Sequence, residues 1–226
     1  MSGGIPVYLE VGTKRVFACA IDWPGWCRSA KDEAGALEAL RVAAPRYALV
    51  AKAAGIGFPA ERGGDHEFEV VERIKGSAST DYGVPGEEAY GDSDPLDAKE
   101  AKRLGALVAA SWTVFDSVVA KTPASLRKGP RGGGRDRDKM VDHVLDAEAG
   151  AYAPKLGLRL KPPARADTDA IEAGRKAILD RLRVVAKQGL PVVPKGWPAR
   201  YAARRIAWHV LDHAWEMEDR TERPGS

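Results

Sequence analysis

Only two cysteines, Cys19 and Cys27, occur in the 226 residues. Two thiols cannot build a multi-bridge disulfide framework, and the chain does not open with the basic segment and apolar run of an export signal. The expectation is a cytoplasmic protein held by a packed core. Also missing is any run near the roughly 18 consecutive apolar residues of a transmembrane helix, which argues against a membrane span. A surplus of one charge is missing too: 35 Lys and Arg against 32 Asp and Glu leave a formal +3. Nucleic acids and anionic membranes draw a concentrated basic stripe, and so small a surplus does not supply one. Lys14, Arg15 and Arg28, near Trp23 and Trp26, are the main interleaving of bases with rings.

The rest of the composition is that of a globular chain, 44% hydrophobic and 30% charged, with enough apolar surface to bury a core. Charges segregate along it. Residues 78–98 contain Asp81, Glu87, Glu88, Asp92, Asp94 and Asp97 with no Lys or Arg, whereas Lys121 to Lys139 is strongly basic. Both stretches read as solvated loops. The richness in Ala, Arg and Gly is that of a high-GC bacterial genome.

Hydrophobic periodicity divides the chain into halves. Ile5, Val7, Leu9 and Val11 alternate with other side chains, as do Phe17, Cys19 and Ile21. A period of two means half-buried strands, and Gly12-Thr13-Lys14 between them makes a hairpin turn. Ser29, with Asp32 three residues on, has the form of a capping box opening a helix to about Ala54. "HEFEVVERI", residues 66–74, returns to a strand pattern. Residues 77–95 have a linker's Ser, Gly, Pro and acidic composition. Asp94 is then a plausible N-cap with Pro95 at the first helical position. Beyond it the period is helical, with stripes on Leu104, Leu107, Val108, Phe115 and Val118, on Met140, Val141, Val144 and Leu145, and on Ile171, Ile178, Leu182 and Val185. With Tyr201–Arg220 these make four helices, which suggests a bundle. The expected fold class is α+β: a β/α domain over 1–76, a linker over 77–94 and a four-helix bundle over 95–226, with the two halves separable.

"VFACAIDWPGWCRSAKDEAGALEAL" resembles the HicB antitoxin-like fold in Pro24-Gly25, Cys27, Ser29 and Glu33-Ala34, over about a third of the chain. It departs from that pattern at Ala30-Lys31-Asp32, where a Gly-Asp-Thr-like step is usual, so the resemblance implies the fold more than an antitoxin role.

Four histidines are few enough for their positions to matter. His209 and His213 lie about 40° apart on one helix face, close enough to share an ion. Asp212, Glu216 and Arg205 surround them on the wheel, while Trp208, Val210, Leu211, Ala214 and Trp215 point away, so the pair also reads as two solvated imidazoles on a polar face. A zincin helix needs Glu after the first His; Val210 stands there, which removes the metalloprotease general base. His143, in the second helix of the same half, makes a possible third nitrogen, and three imidazoles leave a coordination position open. His66 belongs to the first half as a strand-end or loop residue.

With one His in the second helix and an H-x-x-x-H pair in the last, residues 95–220 resemble the DinB-like superfamily of metal-binding four-helix bundles. The resemblance implies that His143, His209 and His213 bind a divalent metal, and a soft thiolate as fourth ligand suits zinc or nickel. It also implies kinship with thiol transferases that use mycothiol or bacillithiol and with maleylpyruvate isomerase-like proteins. The expected function is a metal-dependent enzyme that activates a small thiol, or water, for transfer to an electrophilic small-molecule substrate. Asp142, Asp146, Asp212 and Glu216 are candidates to orient the ligand rings, Glu216 best placed and Asp212 next. Arg205 either holds a substrate carboxylate bidentately or forms a salt bridge along its helix. The alternative is a non-catalytic regulatory or binding module, whose HicB-like domain meets a protein or nucleic acid and whose bundle is a scaffold or homodimer interface. A further rival is a stress protein whose metal does no chemistry.

"RKGPRGGGRDRDK", residues 127–139, lacks the P-loop form and reads as an inter-helix loop that could cover the metal end. Cys19 is expected to be packed and Cys27 more exposed, neither with a partner that would make it a nucleophile. Trp112, Trp208 and Trp215 read as core, and Trp23 and Trp26 as a patch facing a partner.

Overall fold

A computed structural model describes residues 4–59, 67–129, 133–189 and 191–221. His66 lies outside them, as do residues 130–132 of the basic loop. The fold is mixed α+β. Strands β1 (Ile5–Val11), β2 (Val16–Ala20), β3 (Cys27–Ala30) and β4 (Phe68–Lys75) form one sheet in the order β3-β2-β1-β4. β1–β2 is the expected hairpin, and β4 runs parallel to β1.

Strand alternation gives the sheet two buried faces. Ile5, Val7, Leu9, Val16 and Ala18 enter the main core with Leu40 and Tyr47 of α1 (Glu33–Val42) and α2 (Ala44–Ala53). Tyr8, Phe17, Cys19 and Cys27 point the other way, against Ala89 and Trp208. Ser29 lies in β3 rather than at a cap, because Cys27–Ala30 pairs with β2. Asp32 caps α1 by accepting from the Gly35 N–H at 2.7 Å. The single helix expected to Ala54 is two, since Pro45 has no N–H to donate and so ends the ladder of α1. Trp23 and Trp26 are not a surface patch. Both are buried in a cluster with Tyr47 and Phe58, where Trp26 donates to the Leu40 carbonyl at 2.9 Å.

The segment expected to be a solvated linker is packed. It forms α3 (Ala78–Tyr82), and its Thr80 hydroxyl and the backbone N–H groups of Gly86 and Glu87 donate to the buried Glu10 carboxylate. Glu10 would otherwise be a lone charge inside a sheet; burial still raises its pKa. Asp92 pairs bidentately with Arg204, both buried.

The four long helices are α4 (Ala98–Lys121), α5 (Arg137–Ala147), α7 (Thr168–Gln188) and α8 (Ala199–Arg220). Asp97, not Asp94, caps α4, accepting from the Glu100 N–H at 2.7 Å. α5 continues into a π-helical turn, Glu148–Tyr152, and the short α6 (Ala153–Lys155). Among the described residues α4 alone is long and apolar enough to cross a membrane by composition. Its buried stripe, Leu104 to Val118, packs on α2, α7 and α8. α8 is the inner wall, with the sheet and the Pro24-Gly25 turn on one side and the bundle on the other, so its residues are buried almost all round.

Candidate metal centre

His209 and His213, one turn apart on α8, face His143 on α5. Their ligand atoms all lie within 4.8 Å of one another. The Nε2 atoms of His143 and His209 are 3.2 Å apart, and the ring centroids are separated by 4.7 to 5.0 Å. The two imidazoles of α8 are not the solvated pair of a polar face: His209 is 7% and His213 9% exposed. A helical wheel assumes one buried side, and α8 is enclosed by two layers.

Burial, then the charge of Arg135, lowers the pKa of His143. Burial, then His213 and Arg205, takes His209 well below the ordinary value. Both rings are therefore neutral at pH 7, with lone pairs to give. Glu216 accepts at 3.1 Å from Nδ1 of His213 and at 2.7 Å from Arg220. The bond from His213, with that from Arg220, holds the carboxyl below its usual range. An ionised carboxylate only accepts, so Nδ1 of His213 carries a proton and Nε2 is the atom turned to the other rings.

The donor set fits a divalent ion of the zinc kind. Nitrogens 2.0–2.1 Å from one tetrahedral ion lie about 3.3 Å apart, which the His143–His209 separation matches. At that distance the two Nε2 atoms either share one proton in a hydrogen bond or turn both lone pairs to a common ion. Among the described residues Nδ1 of His209 has no partner, so its ring lacks the brace that Glu216 gives His213.

The other candidates divide. Asp212 turns from the histidines to Arg28 of β3, 3.1 Å away, whose guanidinium stacks on Trp215. Asp142 is taken by Arg165. Asp146 is exposed and acts on His143 only through its charge. Arg205 makes no salt bridge among the described residues; its guanidinium lies 4.7 Å from the Trp208 ring and 5.4 Å from that of Tyr152. The expected lid is tied down where it is described, by Arg127 and Arg220 exchanging bonds to each other's backbone carbonyls at 3.0 and 2.8 Å.

Two neighbours of the site were not legible in the sequence. Tyr152 stands edge-on to His209 with centroids 5.4 Å apart, brought there by the π-helical turn, which helical periodicity does not foresee. Exposed Arg135 reaches the cluster only because its loop folds back. Cys27, expected to be the more exposed thiol, is buried like Cys19.

The chain matches no family model, no curated protein and no solved structure. The DinB-like and HicB-like readings accordingly rest on the sequence motifs alone.

Proposed function

We propose that His143, His209 and His213 hold a divalent metal ion, zinc or nickel, in a DinB-like enzyme that activates a small thiol, or water, for transfer to an electrophile. The observation that supports this most is the convergence of three imidazoles from two helices, one of them braced by an ionised carboxylate. A bound ion with an open position lowers the pKa of a thiol or water there, so that the nucleophilic anion exists at neutral pH.

The chain's own groups supply the rest. Glu216 fixes the tautomer and orientation of His213. Burial keeps His209 and His143 unprotonated, which leaves their nitrogens free to ligate. Arg135 and Arg205 bring positive charge beside the cluster, which favours an anionic substrate or thiolate. Tyr152 walls one side of the His209 ring against solvent.

Protein stripped with a chelator and reloaded with cobalt should hold one ion per chain. Millimolar thiol should then release protons and add a thiolate-to-cobalt absorption band. His213→Ala should abolish both, whereas Glu216→Gln should weaken metal affinity about 10- to 100-fold. Stoichiometric metal with neither protons nor band would leave water activation. No metal at all would leave the bundle as a scaffold and the sheet as the partner-binding part.

A further inference from the structure

A second, unassigned constellation lies between the sheet and α8. There a cavity of about 10 Å³, room for one water-sized body, is lined by Tyr8, Cys19, Cys27, Arg204, Arg205 and Trp208 among others. Three of its lining side chains have buried N–H groups with no hydrogen-bond partner among the described residues: Nε of Arg204, Nη1 of Arg205 and Nε1 of Trp208. Arg204 and Trp208 are each only 5% exposed. We infer that this cavity is a binding site for one monovalent anion of halide size, which in a cell means chloride.

The chemistry of the walls has one sign. No carboxylate and no imidazole lines the cavity. Burial pushes the Tyr8 phenol and the Cys27 thiol well above their ordinary values, so both remain protonated donors. Tyr8, Cys19 and Cys27 stand side by side across β1, β2 and β3, because they are register partners. The hydroxyl of Tyr201 is already committed to the Gly86 carbonyl at 2.9 Å. Charge points the same way. Asp92 neutralises Arg204, whereas Arg205 has no carboxylate within salt-bridge distance among the described residues; Glu10 and Glu88 stand further off, where their charges reach Cys27, Tyr201 and Arg204.

A water molecule meets a surplus of donors here: it accepts two hydrogens, and for its own two the lining offers only tyrosine oxygens, cysteine sulfurs and backbone carbonyls. An anion accepts from every side and donates nothing. Size then selects among anions: a tetrahedral oxyanion does not fit in so small a space. The walls hold that size, since Gly25 in the adjoining turn lies so close to Leu211 and Ala207 that even a Cβ would clash. Arg205 is one helical turn from His209 and its charge serves both readings, but the cavity itself uses no histidine.

The test is chloride-35 line broadening by the full chain after chelator treatment, which removes chloride bound to any metal. Broadening should saturate with protein-bound chloride, be displaced by bromide, and resist sulfate at equal ionic strength. Trp208→Phe keeps an aromatic ring but loses the N–H together with the pyrrole half of the indole; it should cut chloride affinity several-fold while leaving the far-ultraviolet circular dichroism spectrum unchanged. Arg205→Gln should abolish binding. In a bromide-soaked crystal, the anomalous peak should fall between the three nitrogens. Absence of broadening in wild type, equal affinity in folded Trp208→Phe, displacement by sulfate, or bromide found only elsewhere would each overturn the site.

Discussion

Glu148 illustrates how one side chain can set a pH response. It is buried in the π-helical turn with the Trp112 indole N–H as its hydrogen-bond donor, and burial raises its pKa to about 7 although Arg175 and Trp112 pull downward. The folded value lies above the unfolded 4.5. This group's contribution is therefore fully present below pH 4.5 and is lost as pH rises to 7, by on the order of 3 kcal/mol. Glu148→Gln should remove that decline, read as the difference in urea midpoints between variant and wild type from pH 4.5 to 8. The difference is needed because His143 and His209, with lowered values, act oppositely below pH 6.5. A variant whose midpoint tracks wild type throughout would show that Glu148 does not titrate as stated. Asp92→Ala is a harsher change, since it leaves Arg204 buried and unpaired. It should cost about 3–5 kcal/mol in the same measurement.

Among the elements, the Pro24-Gly25 turn is the tightest junction. Gly25 has φ +90°, and a Cβ there would lie 2.6 Å from Leu211 and 3.0 Å from Ala207 on α8. Gly25→Ala should thus combine left-handed strain with overpacking, about 2–4 kcal/mol together, visible as a lower thermal midpoint. If Gly25→Ala matched wild type, the turn would not be seated on α8. The elements were largely legible: period two marked β1, β2 and β4, and period 3.6 marked α4, α5, α7 and α8. β3 was not, because four residues beside a Pro-Gly turn carry too little alternation, and "S-x-x-D" imitated a cap. The same limit hid the break at Pro45, where Ala-rich sequence continues the helical pattern across the residue that interrupts it.

For the whole molecule, composition argued for separable halves and packing argues for one cooperative unit. The main core runs from Ile5 and Tyr47 to Leu107 and Leu211 without a gap. Residues 77–94 are fastened to both β1 and α8. Thermal unfolding of the full chain should accordingly show one transition, coincident by tryptophan fluorescence and circular dichroism. A fragment of residues 94–226 should unfold at markedly lower temperature, since it uncovers Trp208 and Leu211. Two resolved transitions would contradict this. At this scale too the site was half legible. The order and spacing of His143, His209 and His213 signalled a shared ion, but their burial depends on the sheet covering the far side of α8, which no local pattern announces. The partner of Asp212 was hidden for the same reason, as Arg28 is 184 positions away.

The π-helical turn holds one residue more than an α-helical turn needs, so the chain beyond it is out of phase with α5 by about 100°. That offset aims Tyr152 at His209. Gly150, around which a Cβ would meet nothing within 4 Å, is the residue most easily spared. Its deletion should restore a regular helix and swing Tyr152 off the histidine cluster with little loss of helicity. A single codon thus separates a walled histidine from an open one, which makes this turn a place where relatives of the chain could differ in chemistry while keeping the same bundle.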